Sequence, residues 1–214
     1  SPRVRRAEIR PLTAQQSRSF LEAAQGHRLE TLFVMAVTLG LRQGELLALR
    51  WSDIDMNART VTVRHTLHWS GSKYRLAEPK SARSRRVVVL STLAYESLRS
   101  HRLRQAEERL RLGAIWEDHN MVFANGRGRP LSARNMTRRA FKPLLHKADL
   151  PDIRFHDLRH TAATLLLSEG VSPKAVSEQL GHGSVAITMD VYAHVTSEMQ
   201  AHAAAAMDAV LGPA

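Results

Sequence analysis

Apolar side chains recur at helical spacing near the start of the chain. Thr13 can cap a first helix over residues 13–24, and the apolar positions of residues 29–39 predict a second helix that faces the core. Gly40 is placed to end that helix, because glycine readily adopts the left-handed conformation found at helix ends. A short helix is predicted over residues 44–49.

The pattern then changes to alternating polar and β-branched residues. Strands are predicted at residues 60–66, 74–78 and 86–89, with a turn at residues 70–72. The basic run at residues 79–86 would form the tip of a hairpin, and its positive side chains could reach a phosphate backbone. A solvated, charged loop is the alternative interpretation of this run.

Helical patterns return after the strands. A long polar helix is predicted at residues 91–111, Ser132 can cap the next helix, and Pro143 should kink or break that helix. Two more helices are predicted at residues 156–168 and 172–180. Strands set between two helical halves predict a mostly helical α+β domain with a small three-stranded antiparallel sheet.

The composition limits the possible classes of function. The 214 residues suffice for one domain with a proper core, and the absence of cysteine excludes thiol catalysis, disulfides and cysteine-ligated metal sites. The net charge of +11 favours a polyanionic partner, most simply nucleic acid, although a basic enzyme without such a partner is the alternative. No apolar run approaches the roughly 20 residues that span a bilayer, and no signal sequence is evident, so a cytoplasmic location is expected.

A set of side chains supplies what phosphodiester cleavage without a metal requires. Guanidinium groups can hold the non-bridging oxygens and offset charge on phosphorus, and either of two histidines can take or share a proton. A lysine can protonate the leaving oxygen while a tyrosine attacks, provided that positive surroundings favour its phenoxide. The candidates are Arg42, Arg159, His156, His182, Lys80 and Tyr192.

Two of these assignments have competitors. Tyr74 and Tyr95 are the other tyrosines, but neither has a histidine motif nearby, which favours Tyr192. Glu45 lies three positions after Arg42 on one helical face and can orient its guanidinium. Taken alone, that pair is an ordinary surface ion pair more often than a catalytic one.

Five segments, in order and spacing, resemble the catalytic domain of tyrosine recombinases, the phage integrase family. They are Gly-Leu-Arg-Gln-Gly-Glu-Leu at 40–46, Pro-Lys at 79–80, His-Asp-Leu-Arg-His-Thr at 156–161, Leu-Gly-His at 180–182 and Tyr-Ala-His-Val at 192–195. The resemblance covers nearly the whole chain, and five ordered motifs are far more specific than any one of them.

The resemblance implies a site-specific recombinase, of the kind that integrates or excises DNA. Tyr192 would form a 3′-phosphotyrosyl link and free a 5′-hydroxyl, and Glu45 would support Arg42. Attack by a 5′-hydroxyl of a partner duplex would then rejoin the strands, with no ATP, metal or other cofactor. Contacts to double-stranded DNA are expected from Arg83, Arg85, Arg86 and His160.

The resemblance also implies a domain plan. Residues 1–11 would be a basic linker, 12–195 the catalytic domain, and 196–214 a C-terminal helix whose apolar stripe is suited to docking on a neighbouring subunit or on its own domain. The N-terminal DNA-clamping domain usual in the family is expected to be absent. A monomer is expected when free and a homotetramer on paired DNA sites, with accessory factors for bending or directionality. The location would be the nucleoid, or the host cytoplasm for a phage-encoded protein.

Three other functions compete with this interpretation. His156 and His160 superficially mimic a two-histidine zinc helix, with His182 or His194 as a third ligand, but Arg159 between them would repel the cation. A non-catalytic DNA-binding relative is the second alternative, and it is disfavoured because every named catalytic position is filled. A type IB topoisomerase shares the tyrosine chemistry, but the compact spacing is closer to that of integrases.

Overall fold

The computed structural model describes residues 10–71, 73–78 and 85–181. Its helices are α1 Ala14–Ala23, α2 Glu30–Leu39, α3 Gln43–Leu47, α4 Thr92–Leu112, α5 Ala133–Met136, α6 Lys142–Lys147, α7 Asp157–Ser168 and α8 Pro173–Leu180. Its strands are β1 Ile54–Asp55, β2 Thr60–Val63, β3 Thr66–Ser70, β4 Lys73–Ala77 and β5 Arg86–Val89. Among the described helices, none has the length and apolar character needed to cross a membrane.

Helix α2 is the centre of the core. It packs against α1, α3, α4 and α7, and eight of its ten residues are buried. The sequence predicted that one apolar stripe of this helix faces the core. In the structure, neighbouring helices cover most sides of α2. Beside it, the ring of Phe20 lies 5.4 Å from that of Phe33 and 5.7 Å from that of Phe141, both edge-on, which is a favourable aromatic geometry.

The predicted helix caps are confirmed. Thr13 and Gln16 form a reciprocal capping box at the start of α1. The hydroxyls of Ser132 and Ser172 accept hydrogen bonds from the backbone N–H groups of Asn135 and Ala175, at the starts of α5 and α8. These side chains satisfy donors that have no partner inside the helix.

The strands form two sheets, which corrects one prediction. A three-stranded antiparallel sheet has the order β1-β2-β5, as the fold class predicted, but its third member is the two-residue strand β1. The predicted middle strand at 74–78 is instead β4, which pairs with β3 in a separate hairpin. The predicted turn at 70–72 falls at the end of this hairpin, where Ser70 pairs with Lys73 and Gly71 has φ 59°, while residue 72 lies outside the described residues.

Pro143 changes the helix geometry in the turn that precedes it. Residues Thr137–Phe141 form a π-helical turn between α5 and α6, and Pro143 stands in the first turn of α6. Proline has no N–H and its ring crowds the carbonyl four residues before it, so a regular α-helix through residue 139 is disfavoured. A wider π turn accommodates both effects. The predicted kink is thus a local change of helix type.

Gly40 is the point where α7 and α8 pack against the end of α2. It ends α2 in the left-handed conformation with φ 61°, as predicted. A Cβ atom on Gly40 would lie 2.3 Å from Leu180 Cδ2 and 3.0 Å from the Cβ of Ala162, on α8 and α7. The C-terminal helices therefore pack directly on this turn, which places the segments around Arg42 and Arg159 side by side.

Several predicted features lie outside the described residues. They include the C-terminal helix at 196–214, most of the basic run at 79–86, and the linker at 1–11 except Arg10 and Pro11. The domain boundaries stay a prediction.

Replacing Gly40 with alanine should destabilise the fold strongly. The left-handed conformation alone costs a residue with a Cβ about 1–2 kcal/mol, and the clash with Leu180 adds about 1–3 kcal/mol. Gly170→Ala is a matched control, because Gly170 has φ 80° but a Cβ added there would meet no atom within 4 Å. Urea unfolding should show a clearly larger loss of stability for Gly40→Ala. Equal losses would contradict the close packing of α7 and α8 on this turn.

Candidate active site

Arg42 and Glu45 meet at the start of α3. Arg42 Nη1 donates to Glu45 Oε1 at 2.7 Å, and the backbone N–H of Arg42 donates to Glu45 Oε2 at 3.0 Å. The carboxylate is buried, while the Arg42 side chain is 38% exposed. Glu45 therefore orients a guanidinium that solvent, and hence a ligand, can reach.

Arg86 is the second cation on Glu45. Its Nη2 donates to Glu45 Oε2 at 2.9 Å, and its Nε donates to the carbonyl of Gln179 at 2.6 Å. The Arg86 side chain is only 7% exposed. This placement differs from the exposed, DNA-facing position expected for Arg86 in a hairpin tip.

The charge of Glu45 is well stabilised. Burial alone would raise the pKa of Glu45, but hydrogen bonds and charge from Arg86, then from Arg42, outweigh burial and lower it. The carboxylate is therefore ionised at neutral pH. Because the pKa is lowered on folding, its contribution to stability is lost only as the pH falls through the acid range.

Arg159 enters the same region from the first turn of α7. It is 3% exposed, and its Nη1 donates to the carbonyl of Gly40 at 3.0 Å. Its Nη2 is buried and has no hydrogen-bond partner among the described residues. Burial, together with the positive charge of Arg42, lowers the pKa of Arg159 to about 9, so the group is still a cation at neutral pH.

These side chains concentrate positive charge at one place. Three guanidinium groups, those of Arg42, Arg86 and Arg159, interact electrostatically around the single carboxylate of Glu45. A buried cation with an unused donor is costly unless an anion supplies its missing partner. A tetrahedral oxyanion such as a phosphate diester fits this requirement, because guanidinium forks match its oxygens.

Two histidines lie at the N-terminal end of α7. The rings of His156 and His160 meet edge to face, with centroids 5.1 Å apart. Burial is the largest cause that lowers the pKa of both, followed for His156 by the charges of His160 and Arg159. Both imidazoles are therefore neutral at pH 7, a form that can accept a proton.

Asp157 has a structural part in this segment. Its carboxylate is buried and accepts hydrogen bonds from Arg154, the backbone N–H at 2.8 Å and Nη2 at 2.7 Å. It is thus committed to fixing the start of α7 and does not serve as a free base.

The other predicted site residues divide into two groups. Arg85 is described and exposed, and it pairs with Glu78 at 2.6 Å. Lys80, Arg83, His182 and Tyr192 lie outside the described residues, so their roles stay predictions. Gly181, the residue before His182, is described, and its carbonyl accepts a hydrogen bond from Arg42 Nη2 at 2.9 Å.

No group of three or more histidine, aspartate or glutamate side chains in the described part of the chain is arranged to hold a metal ion. His182 and His194, the third ligands considered for zinc, lie outside that part.

Comparison with known proteins decides the family. The family model described as the phage integrase family matches residues 10–199. The chain belongs to the phage integrase family. A tyrosine recombinase XerC-like protein of Caldanaerobacter subterraneus subsp. tengcongensis is 36% identical over 208 residues, which is 92% of this chain and 53% of that protein. The ICEBs1 integrase of Bacillus subtilis is 33% identical over 184 residues, covering 85% of this chain and 49% of that integrase.

Solved structures of an integrase and of a recombinase share the fold. The Tn1549 transposon integrase in complex with transposon right end DNA superposes with a TM-score of 0.78 at 27% identity, over 98% of this chain and 68% of that one. XerA recombinase gives a TM-score of 0.69 at 24% identity, over 100% of this chain and 68% of that one. The predicted tyrosine recombinase catalytic-domain fold is thus confirmed. The chain spans about half the length of the curated relatives that it matches.

The contact that sequence reasoning missed in this integrase-family site is the one between Arg86 and Glu45. Arg86 ends a run of basic residues, and nothing in that run separates a buried arginine from exposed ones. Its position as the first residue of a β-branched strand was the available signal, since a strand side chain facing the core must find a partner.

His156 should titrate below the ordinary histidine value of about 6.5. Substituting His160 with glutamine removes one lowering charge but not burial, so the pKa of His156 should rise only part of the way. A pH titration of the imidazole ¹H–¹⁵N signals would measure both variants. A pKa for His156 at or above 6.5 in the unmodified protein would contradict the site's electrostatics.

Proposed function

We propose that this chain is the catalytic part of a site-specific DNA recombinase that cleaves and rejoins strands through a phosphotyrosyl link to Tyr192. The observation that carries the proposal is the guanidinium cluster on Glu45, with the buried Nη2 of Arg159 that lacks a partner among the described residues. Membership of the phage integrase family supports the same function.

The cluster would act on the scissile phosphate. Arg42 and Arg159 would each donate to a non-bridging oxygen, where negative charge grows as phosphorus becomes five-coordinate. Donors that are already fixed before the reaction stabilise such charge without reorganisation. The fixed position of Arg159, held by the Gly40 carbonyl, meets this condition.

The covalent step needs neither water nor a nucleotide cofactor. The Tyr192 oxygen forms a bond to phosphorus as the bond from phosphorus to the 5′-oxygen breaks. A histidine, His156 or His182, would take the phenol proton, and Lys80 would protonate the leaving 5′-oxygen. Attack by a 5′-hydroxyl on the same link reverses the step and joins strands.

Double-stranded DNA is the proposed partner. The Tn1549 integrase was solved in complex with DNA, and this chain carries a net charge of +11. A groove beside the site supports the same partner, because its lining is basic: Gln43, Ala133, Arg134, Thr137, Arg138 and Lys142. Most of the affinity of the chain for DNA should therefore come from phosphate contacts, and this affinity should weaken as the salt concentration rises.

The quaternary state follows from the proposed chemistry. Exchange between two duplexes requires four cleaved strands, so a homotetramer on paired sites is proposed, with the monomer as the free form. The 196–214 segment would dock between subunits, and accessory factors would set direction. With DNA as the substrate, the proposed location is the nucleoid or, for a phage-encoded protein, the host cytoplasm.

Tyr192→Phe should abolish covalent capture of DNA while leaving DNA binding nearly intact, because it removes one hydroxyl and no charge. The measurement uses a random library of nicked duplexes with a chelator present, followed by denaturing washes and sequencing of the retained DNA. Tyr95→Phe is the matched control, since Tyr95 lies on α4 with its ring under Arg59.

The outcomes separate the competing functions. Capture by the unmodified chain and by Tyr95→Phe, but not by Tyr192→Phe, supports the proposal and reveals the target sequence. An adduct that persists in Tyr192→Phe contradicts the nucleophile. DNA binding without any adduct from the unmodified chain would favour a non-catalytic relative, and activity that requires a metal would favour the zinc alternative.

A further inference from the structure

Arg86 connects parts of the site that are far apart in sequence. It is the first residue of β5 and lies six positions after Lys80. Its Nη2 contacts Glu45 and its Nε contacts the carbonyl of Gln179, near the end of α8. One buried side chain thus ties the start of β5, the Arg42 segment and the turn before His182 together.

The contact with Glu45 affects Arg42 directly. Glu45 Oε1 accepts from Arg42 Nη1, whereas Oε2 accepts from Arg86 Nη2 and from the Arg42 backbone. The negative charge of the carboxylate is therefore shared between two guanidinium groups. Without Arg86, the whole charge of a buried carboxylate would act on Arg42 and reduce the attraction of that cation for a phosphate.

The contact with α8 affects the turn that precedes His182 in the chain. Gly181 ends α8 with φ 68°, and a Cβ there would lie 2.8 Å from Arg86 Nη1. The carbonyl of Gly181 accepts a hydrogen bond from Arg42 Nη2. Arg86 therefore contacts this turn through the Gln179 carbonyl and Arg42 contacts it through the Gly181 carbonyl, immediately before His182 in the chain.

We propose that Arg86 is a positioning residue of this site. It keeps part of the Glu45 charge away from Arg42, so that Arg42 remains available to the phosphate, and it fixes the turn that leads to His182. This inference rests on the proposed recombinase function, and it replaces the expectation that Arg86 contacts DNA itself.

Arg86→Met and Arg86→Lys test the proposal. Methionine keeps an unbranched side chain without charge, whereas lysine keeps the charge but cannot contact Glu45 and Gln179 in the two-armed way of a guanidinium. Arg99→Met is the matched control, because Arg99 forms an exposed ion pair with Glu96 on α4. The substrate is a nicked duplex of the sequence captured by the unmodified chain.

The readouts separate positioning from DNA contact. In Arg86→Met the rate of adduct formation at saturating DNA should fall about tenfold or more, less than the roughly hundredfold loss for a direct transition-state donor. DNA affinity and its salt dependence should stay nearly unchanged. Arg86→Lys should fall between Arg86→Met and the unmodified chain, and Arg99→Met should match the unmodified chain.

A combined variant tests whether Arg86 acts through Glu45. If it does, adding Glu45→Gln to Arg86→Met should cause much less loss of rate than the two single losses multiplied together. Independent, multiplicative losses would overturn the proposal. If Arg86→Met does not unfold cooperatively, and so is not properly folded, the proposal is judged on Arg86→Lys by the same rate and affinity criteria.

Two other results would also overturn it. A normal rate at saturating DNA with weaker binding and a salt slope reduced by about one would make Arg86 a phosphate contact. A normal rate and normal binding would leave Arg86 without a part in the reaction. Both differ from failure of the recombinase function, in which the unmodified chain itself forms no adduct and the inference falls with it.

Discussion

The arrangement of this site depends on one buried carboxylate. Glu45 accepts hydrogen bonds from the guanidinium groups of Arg42 and Arg86, and its charge also acts on Arg159. Removing one partner of a buried ion pair typically costs about 3–5 kcal/mol, since the remaining charge is left without compensation. Glu45 therefore allows two buried cations, Arg86 and Arg159, to lie beside the partly exposed Arg42.

Glu45 compensates only part of the positive charge around it, and the remaining charge supports the proposed binding of a phosphate. One carboxylate among three guanidinium groups leaves positive charge, and Arg159 keeps a buried donor without a described partner. A phosphate diester in the site would supply both the charge and the acceptor. The contacts of Arg159 with Gly40, and of Arg42 with Gly181, use backbone carbonyls of two helix ends, so the packing of α2 against α7 and α8 sets the geometry of the site.

Local sequence signals predicted much of this molecule. The helix caps at Thr13, Ser132 and Ser172, the end of α2 at Gly40 and the Arg42–Glu45 pair all depend on residues within a few positions of each other. The sheet was harder, because β1 has only two residues and shows no alternation. The strand at 73–77 has the same alternating pattern whichever partner it pairs with, so its place in a separate hairpin could not be read from that pattern.

Long-range contacts explain the remaining differences. Arg86 lies 41 positions from Glu45 and 93 from Gln179, and its burial depends on how β5 packs against α3 and α8. No periodicity within the basic run could distinguish it from Arg85. The catalytic assignments of Lys80, His182 and Tyr192 rest on motif resemblance and on the proposed chemistry.

The position of a bound oxyanion is the sharpest test of the proposed phosphate site. Tungstate is a tetrahedral, electron-dense analogue of phosphate, and crystals of the chain grown with it would give an anomalous signal. A tungsten peak is expected about 4 Å from Arg159 Nη2 and from the Arg42 guanidinium, because a tungstate oxygen hydrogen-bonded at about 3 Å lies between each nitrogen and the metal atom. The peak should be lost in Arg159→Met. Tungstate bound only at exposed arginines, with the Glu45 cluster empty, would contradict the claim that this cluster is the phosphate site.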